Sequence, residues 1–441
     1  MGREPFIMRK FIALLVVMAL IIGAMAGCAT KTSQKEQQPS QEAQQPTQPQ
    51  VTIKFWQAGG DTAGAAEKMS ELIKKFEEKH PNIKVEYMAI PWAEEPHNKF
   101  QTAIVSGEVA DLLIVGSPFD HVLASSGAII PLDQFIDEEL KKDLMDVFSR
   151  EGIYHGKNKD LDGKLISIPM FGDVRTIVYN KDIFKKAGVP EPTESWTLEE
   201  FKQNALKLTK DGVYGFGTSG RYASQWLPFV WDKGGEILNQ EMTEATITTP
   251  EWKEAWEYYI ELINKASMPG SVNVNLAEIQ KLFAQEKVAM FVTTQDYVEE
   301  LMKDPNLKDK IGVGQMPHDK YQTAFAGADV FVITKQSKHP KEAWELLRFL
   351  VSTENQLEYC KTVGFLPVVK SAASDPYFTN HPVKKGFLQA LEHGKFYVKS
   401  DKANGITTIL RAEIQNAITG KKSVQKALED AKQAIDLLLN S

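Results

Sequence analysis

Alternating and periodic apolar residues mark the first folded elements of the chain. Residues 51–55 alternate apolar and polar side chains, which predicts a strand that is buried on one face. Between residues 65 and 79 apolar residues recur every three or four positions, which predicts an amphipathic helix. Pro81 stops that helix, and residues 83–87 alternate again. A strand, a helix and a strand of these lengths predict two parallel strands joined by a right-handed crossover.

The same two patterns continue along the rest of the chain. Further strands are predicted at residues 111–115, 163–169, 176–180, 288–293 and 330–334. Further helices are predicted at residues 98–106, 198–208, from Pro250 onward, 406–418 and 424–439. The helix at 198 follows a capping box that pairs Thr197 with Glu200. Strands mixed with helices in this way predict an α/β fold.

The first fifty residues follow neither pattern. Arg9 and Lys10 precede an apolar run at 11–26, which is shorter than the roughly 20 residues that span a bilayer. This arrangement is typical of a secretory signal, and it is complete whether the chain starts at Met1 or at Met8. The run therefore predicts export to an extracytoplasmic location.

The end of the apolar run, Met25-Ala26-Gly27-Cys28, resembles a bacterial lipobox. The resemblance implies a signal peptide at 1–28 and a lipid on Cys28 that anchors the protein to the cell membrane. Met25 departs from the leucine that is usual there, and an uncleaved signal anchor is the alternative. Residues 31–50 hold 8 Gln and 3 Pro, so we expect 29–50 to form a disordered tether rather than an artificial linker.

Charge, cysteine and histidine content argue against nucleic-acid binding, a disulfide framework and a metal site. The formal net charge is −7 and no stripe of Lys and Arg is present, so we expect no nucleic-acid partner. The two cysteines, Cys28 and Cys360, give no disulfide framework, and we interpret Cys360 as a small core residue of a helix. The 8 histidines lack metal-ligand spacing, so we predict no metal and no cofactor.

Motifs of enzymes are missing from the sequence. There is no GxSxG elbow, no HExxH and no phosphate-binding GxxxxGK[ST] loop. A secreted carbohydrate-active enzyme nevertheless stays as an alternative, because a glycosidase needs only two suitably placed carboxylates and the chain has 58 Asp and Glu. We favour a protein that binds without catalysis.

Several segments together resemble the family 1 extracellular solute-binding proteins, which include the maltose- and oligosaccharide-binding proteins of ABC importers. They run in the family's order over nearly all of 51–441. The clearest are IKFWQAGG (53–60), FEEKHPNIKVEYMAIPW (76–92), TAIVSGEVADLLIV (102–115), WTLEEF (196–201), FAQEKVAMFVTTQDY (283–297) and TVGFLPVVKSA (362–372). The resemblance implies a monomer that captures a sugar or oligosaccharide and delivers it to the permease subunits of an ABC transporter.

The resemblance also implies an architecture, the two-lobe periplasmic-binding-protein fold of type II. Two α/β lobes would be joined by a hinge that the chain crosses near 168–172, 326–331 and 365–368. One lobe would hold 51–170 plus 331–365, and the other 171–330 plus 366–441. The solute would lie in the cleft between the lobes, which would close over it.

A sugar offers C–H faces to aromatic rings and hydroxyls to charged or amide side chains, so we searched the strand ends for that mixture. The first strand ends in Trp56 and Gln57, and Asp61 lies in the following loop, although a packed Trp and a helix-capping Asp would fit the same pattern. Ser117, Phe119 and Asp120 follow the strand at 111–115. Asp173 and Arg175 share one face of a strand at the first crossing, where they pair with each other or flank a solute.

The remaining candidates lie in the second half of the chain. Trp226 and Trp231 belong to a segment that reaches the cleft in the family. At 294–297 the family has Gly and Trp where this chain has Gln295 and Tyr297, so the family's backbone shape does not carry over to this loop. The pair of an aromatic ring, Tyr297, and a carboxylate, Asp296, still suits a sugar. Asp329 precedes the strand at the second crossing. Arg411, on a C-terminal helix, serves the cleft or a surface ion pair.

Other solutes remain open on the same fold. A polyamine would suit the acids Asp61, Asp173, Asp296 and Asp329. Iron would require clustered Tyr and His, which the sequence lacks. A glycerol phosphodiester would require more basic residues than Arg175, Arg221 and Arg411.

Overall fold

The computed structural model describes residues 50–441, apart from the side chain of Ala93. The predicted signal peptide at 1–28, with Cys28, and the predicted tether up to residue 49 lie outside the described residues. Within the described part the strands are β1 (Val51–Ala58), β2 (Ile83–Ile90), β3 (Leu112–Gly116), β4 (Ile168–Asn180), β5 (Tyr214–Gly217), β6 (Val288–Thr293), β7 (Ile311–Gly314), β8 (Ala324–Ile333) and β9 (Gly394–Lys395).

Helices surround these strands. In chain order they are α1 (Ala65–Lys79), α2 (Pro96–Ser106), α3 (Phe119–Ser125), α4 (Glu138–Asp143), α5 (Asp146–Ser149), α6 (Lys181–Ala187), α7 (Leu198–Leu208), α8 (Ala223–Lys233), α9 (Pro250–Ala266), α10 (Leu276–Ala284), α11 (Gln295–Leu301), α12 (Pro340–Leu350), α13 (Thr353–Val363), α14 (Lys370–Ala373), α15 (Pro376–Thr379), α16 (Pro382–Glu392), α17 (Ala403–Ile418) and α18 (Val424–Leu439). A 3-10 turn covers Trp92–Glu94.

The strands form a mixed sheet with the order β2-β1-β3-β8-β4-β6-β5. β1 is parallel to both β2 and β3, as the strand–helix–strand pattern predicts, and β8 runs antiparallel to β3. β7 pairs with β4 at the far end, and β9 pairs with the start of β8. The predicted α/β class is confirmed.

β4 is longer than the sequence suggests. The pattern predicts two strands, at 163–169 and 176–180, because Pro169 lacks a donor for the sheet. The structure instead has one strand from Ile168 to Asn180, and its pairing register with β8 shifts between Pro169 and Phe171. This irregularity accommodates the proline, so one continuous strand pairs with β8 over its first part and with β6 and β7 over its last.

The three predicted hinge segments lie side by side. β4 and β8 pair from Ile168 to Arg175, with Phe171 opposite Asp329. Gly172 then exchanges both backbone hydrogen bonds with Leu366, at 2.9 and 3.0 Å. Residues far apart in sequence therefore meet in one narrow band. The division into lobes at this band stays a prediction.

Three predicted features of the helices are found in the structure. Trp252, Trp256 and Tyr259 of α9 are fully buried, which confirms that its apolar face is core. Cys360 is buried in α13, as expected for a small core residue. At the start of α7 the Thr197 and Glu200 capping box has both of its hydrogen bonds.

Candidate functional site

A cavity of about 170 Å³ opens beside the band where β4 and β8 pair. Four segments that are distant in sequence contribute to its wall. They are the end of β3, the middle of β4, the first half of β8 and the loop after β9. The lining residues are Gly116, Ser117, Pro118, Asp173, Arg175, Phe325, Ala326, Gly327, Ala328, Asp329, Phe396 and Tyr397. Of the predicted site residues, the structure brings Ser117, Asp173, Arg175 and Asp329 together here.

Asp173 and Arg175 form an ion pair on one face of β4, as their spacing allows. Gly327 of β8 lies opposite Asp173 and makes room for the pair. A Cβ placed on Gly327 would lie 2.9 Å from Asp173 Oδ2 and 3.0 Å from Arg175 Nη1, closer than ordinary contacts. A side chain at residue 327 would therefore displace both charged groups.

Asp329 stands next to this ion pair and differs from it in protonation. Burial in the cavity wall raises the pKa of Asp329 to about 8, and the negative charge of Asp173 adds to the rise while Arg175 opposes it. Burial also raises the pKa of Asp173, with Arg175 opposing and Asp296 adding to the shift. Asp329 therefore holds a proton at neutral pH and can donate a hydrogen bond, whereas Asp173 faces its arginine.

Aromatic rings form the opposite part of the wall. Phe325 lies under the Arg175 guanidinium, 5.2 Å from its ring centre. Trp231 stacks behind Phe325 with ring centres 5.6 Å apart. This predicted residue therefore supports the wall through Phe325 and does not line the cavity itself. Tyr397 lies 6.3 Å from Phe325 on the cavity side. The sequence analysis did not predict Phe396 and Tyr397 as site residues. The feature that could have indicated them is a pair of adjacent aromatic residues in a short segment between two helices.

Ser117 connects the cavity to a buried carboxylate. Its hydroxyl donates to Glu151 Oε1 at 2.6 Å, and Lys399 Nζ lies 3.0 Å from the other oxygen of Glu151. Glu151 is 1 % exposed. Burial raises the pKa of Glu151, and the nearby Lys399 opposes that rise. Because the hydroxyl proton of Ser117 is donated to Glu151, this hydroxyl is left with acceptor capacity only.

Phe119 and Asp120 do not line the cavity. Asp120 is fully buried, where it accepts hydrogen bonds from the Ser167 hydroxyl at 2.7 Å and from the His121 backbone at 2.9 Å. Phe119 stacks on His97 with ring centres 4.0 Å apart. Both residues hold the segment after β3 in place.

The predicted group at the end of the first strand does not line the cavity either. Trp56 packs on Phe100 of α2, with ring centres 6.2 Å apart. Gln57 is buried, accepts from the Tyr87 hydroxyl at 2.7 Å and donates to the Tyr359 hydroxyl at 3.0 Å. The Asp61 carboxylate accepts from the backbone N–H of Trp92 at 2.9 Å.

Trp226 lies in the core, not at the cavity. It is 1 % exposed and packs between Trp252 and Trp256 of α9. The sequence favoured a cleft position because the neighbouring residues of α8 resemble a cleft segment. The whole of Ser224–Asp232 is buried, however, so helical periodicity there could not separate a core face from a cleft face. We leave Trp226 out of the site.

The residues at 295–297 and Arg411 lie at the margin of the site. Gln295 braces β4, since its amide accepts from Val174 N–H at 3.3 Å and donates to the Gly172 carbonyl at 3.1 Å. The half-buried Asp296 acts on Asp173 through its charge, while Tyr297 is 41 % exposed. Arg411 is half-buried beside Tyr397, and its Nε has no hydrogen-bond partner among the described residues.

Residues 50–441 lack two kinds of feature. No group of three or more His, Cys, Asp or Glu side chains in that range is placed to hold a metal ion. No helix in the same range is long and apolar enough to cross a membrane.

The fold and the site point to a class: a mixed α/β sheet whose paired central strands border a polar and aromatic cavity is typical of a solute-binding protein. The chain belongs to the bacterial extracellular solute-binding protein family, whose family model matches residues 59–357.

Individual proteins agree with this assignment. A Brucella abortus protein that is named a binding protein is 29 % identical, covering 84 % of this chain and 89 % of its own length. An uncharacterized ABC transporter extracellular-binding protein of Pyrococcus horikoshii is 25 % identical over 98 % of both chains. The sugar-binding protein MalE from Xanthomonas citri shares the fold with a TM-score of 0.79 at 20 % identity, covering 88 % of this chain and 97 % of that chain.

Proposed function

We propose that this protein captures a sugar in the cavity beside the hinge and delivers it to an ABC importer. One observation carries the proposal: hydrogen-bonding groups and aromatic rings face the same small space. Asp173, Arg175 and Asp329 supply the polar groups, and Phe325 and Tyr397 supply the rings. A sugar needs both, because its hydroxyls require directional partners and its C–H faces pack on aromatic rings.

The size of the cavity favours a small solute. Its volume of about 170 Å³ is below the roughly 300–1,000 Å³ of pockets that enclose drug-sized ligands. We therefore propose that one sugar ring is enclosed here and that any further rings extend outward. The Xanthomonas citri protein that shares this fold is a sugar-binding protein, which supports the same solute class.

The charge of the wall favours a neutral solute over a polyamine or a glycerol phosphate. Asp173 and Arg175 compensate each other, and Asp329 carries a proton at neutral pH because its pKa is about 8. A polyamine would require unpaired carboxylates, and a phosphate would require an unpaired arginine. A neutral polyhydroxyl compound requires neither.

Thermal unfolding with a panel of solutes tests the proposal. The panel holds D-glucose, D-galactose, maltose, spermidine and sn-glycerol 3-phosphate. At 100 times its dissociation constant a bound solute stabilises the folded state by about 2.7 kcal/mol, so we expect a clear rise in Tm with at least one sugar. A rise with spermidine or glycerol phosphate alone would contradict the sugar assignment.

Two carboxamide variants control this experiment. Asp173→Asn removes the partner of Arg175 inside the cavity and should abolish most of the sugar-dependent rise in Tm. Asp160→Asn makes the same chemical change at an exposed position and should leave the rise intact.

We further propose how the chain works as a transport component. The lobes, 51–170 plus 331–365 and 171–330 plus 366–441, close over the sugar as a monomer and present it to the permease subunits. The name of the Pyrococcus horikoshii relative supports the ABC partner. The protein acts by binding and release, so sugar recovered after long incubation should be chemically unchanged.

We also propose that a lipid on Cys28 holds the protein at the outer side of the cell membrane. The support is the lipobox-like Met25-Ala26-Gly27-Cys28 sequence. In bacterial cells fed an alkyne fatty acid, the parent chain should carry the label and sediment with membranes, whereas Cys28→Ser should lose both properties. Cys360→Ala, at the other cysteine of the chain, should keep them. Label retained by Cys28→Ser would exclude this anchor.

A further inference from the structure

The partly exposed Trp92 side chain lies beside the cavity, against the lining residue Gly116, without lining the cavity itself. It begins the 3-10 turn after β2, and 40 % of its surface is exposed, unlike most large apolar side chains of the described residues. A single exposed aromatic ring is common on protein surfaces. What distinguishes Trp92 is its position beside Gly116, which lines the cavity.

The contacts around Trp92 fix its orientation. Asp61 accepts from its backbone N–H at 2.9 Å. The His97 ring meets the indole edge-on, with ring centres 5.4 Å apart and an angle of 85°. His97 in turn stacks on Phe119 and accepts from the Gly116 N–H through Nε2 at 3.3 Å. Burial lowers the pKa of His97 to about 4, so the imidazole is neutral and can act as this acceptor.

Two glycines place the indole against the ends of β1 and β3. A Cβ on Gly59, whose φ is +81°, would lie 2.6 Å from Trp92 Nε1. A Cβ on Gly116 would lie 3.0 Å from Trp92 Cη2 and 3.5 Å from Asp329 Oδ1. The rim of the indole and the Asp329 carboxyl group thus approach the same point above Gly116, which is a lining residue of the cavity.

We propose that Trp92 is the stacking platform of the site and determines which sugars bind. The C–H face of the sugar ring lies on the indole, and a hydroxyl at the edge of that ring reaches Asp329. This arrangement selects solutes that combine an apolar face with an adjacent hydroxyl edge. A linear polyamine has no such face and would make few favourable contacts with it. The inference rests on the proposed function, since it names the residue that would recognise the sugar.

Isothermal titration of the full-length chain with D-glucose, D-galactose and maltose tests the inference. Truncating a central aromatic anchor commonly weakens binding by more than about tenfold, so Trp92→Ala should raise the Kd of the bound sugar by roughly 10- to 100-fold. Trp92→Phe keeps an aromatic face and should raise it only a few-fold. Tyr321→Ala removes an aromatic ring that is 50 % exposed and lies against Gly234 rather than against a lining residue of the cavity, and it should leave Kd unchanged.

Tryptophan fluorescence supplies a second readout. If the sugar covers the indole, the parent chain should change its emission on binding, and Trp92→Phe should lose most of that change while it still binds. An unchanged Tm of ligand-free Trp92→Ala separates lost binding from lost folding.

The outcomes separate the two proposals. If the parent chain binds a sugar and Trp92→Ala binds it with the same Kd, the stacking inference is overturned while the proposed function stands. If the parent chain binds none of the three sugars, the proposed function fails, and the inference that rests on it falls as well.

Discussion

Replacement of Trp226 by alanine is expected to lower the free energy of unfolding by about 3–5 kcal/mol, the usual cost of removing a large aromatic side chain from a core. Trp226 is 1 % exposed and packs on Trp252 and Trp256, so its removal leaves a cavity that these neighbours cannot fill. Urea denaturation followed by circular dichroism, with linear extrapolation to water, measures the loss.

The matched variant is Trp92→Ala, which removes the same side chain from an exposed position. We expect it to lower the free energy of unfolding by only about 1 kcal/mol, because 40 % of the Trp92 side chain is already exposed, although its contact with His97 is lost. The two variants should therefore have opposite effects. Trp226→Ala should lose stability and keep its sugar affinity in the folded fraction, whereas Trp92→Ala should keep most of its stability and lose sugar affinity. A stable Trp226→Ala protein with no sugar affinity would instead support a cleft position for Trp226.

Asp329→Asn is expected to become more stable than the parent chain as pH rises. In the unfolded chain this carboxyl group loses its proton near pH 3.8, whereas in the folded protein its pKa is about 8. Between pH 3.8 and about pH 8 this carboxyl group is protonated in the folded state and ionised in the unfolded state, so the free energy of unfolding falls as pH rises. Above about pH 8 the stabilisation that comes from this proton is lost. Asparagine has nearly the same shape and no proton to lose.

The size of this effect follows from linkage. One pKa unit corresponds to about 1.4 kcal/mol, so the stability difference in favour of Asp329→Asn should grow by more than that amount between pH 5 and pH 9. Urea denaturation at intervals of one pH unit measures the difference, and it reports on Asp329 together with Asp173, which is coupled to it. Asp160→Asn, at an exposed position, should give a pH profile parallel to that of the parent. A constant difference for Asp329→Asn would mean that the folded protein carries this carboxylate ionised at neutral pH.

The two proposals give the cavity a consistent chemistry. The lining supplies hydrogen-bond donors and acceptors without a net unpaired charge, and the indole of Trp92 supplies an apolar face beside them. A site of this kind discriminates by shape and hydroxyl positions rather than by charge. Its affinity should therefore depend little on ionic strength, since screening acts mainly on charged partners.

Local features of the sequence predicted local structure well. The bounds predicted for α1, α7 and α18 agree with the structure, because amphipathic spacing, Pro81 and the Thr197–Glu200 capping box are written in neighbouring residues. β8 was predicted only from residue 330, while the structure begins it at Ala324. Apart from Phe325, its first half, AFAGAD, consists of small or acidic residues with low strand propensity, and pairing with β4 holds it in the sheet.

The sequence by itself therefore determined the fold class, the family resemblance, the three segments that meet at the hinge band, and four residues of the cavity wall: Ser117, Asp173, Arg175 and Asp329. Only the tertiary structure decided which tryptophan is buried and which is exposed, that Phe396 and Tyr397 complete the wall, and that Asp329 holds a proton. Burial and pKa depend on neighbours that are distant along the chain, such as Asp173 and Arg175 beside Asp329. No local pattern of residues contains that information.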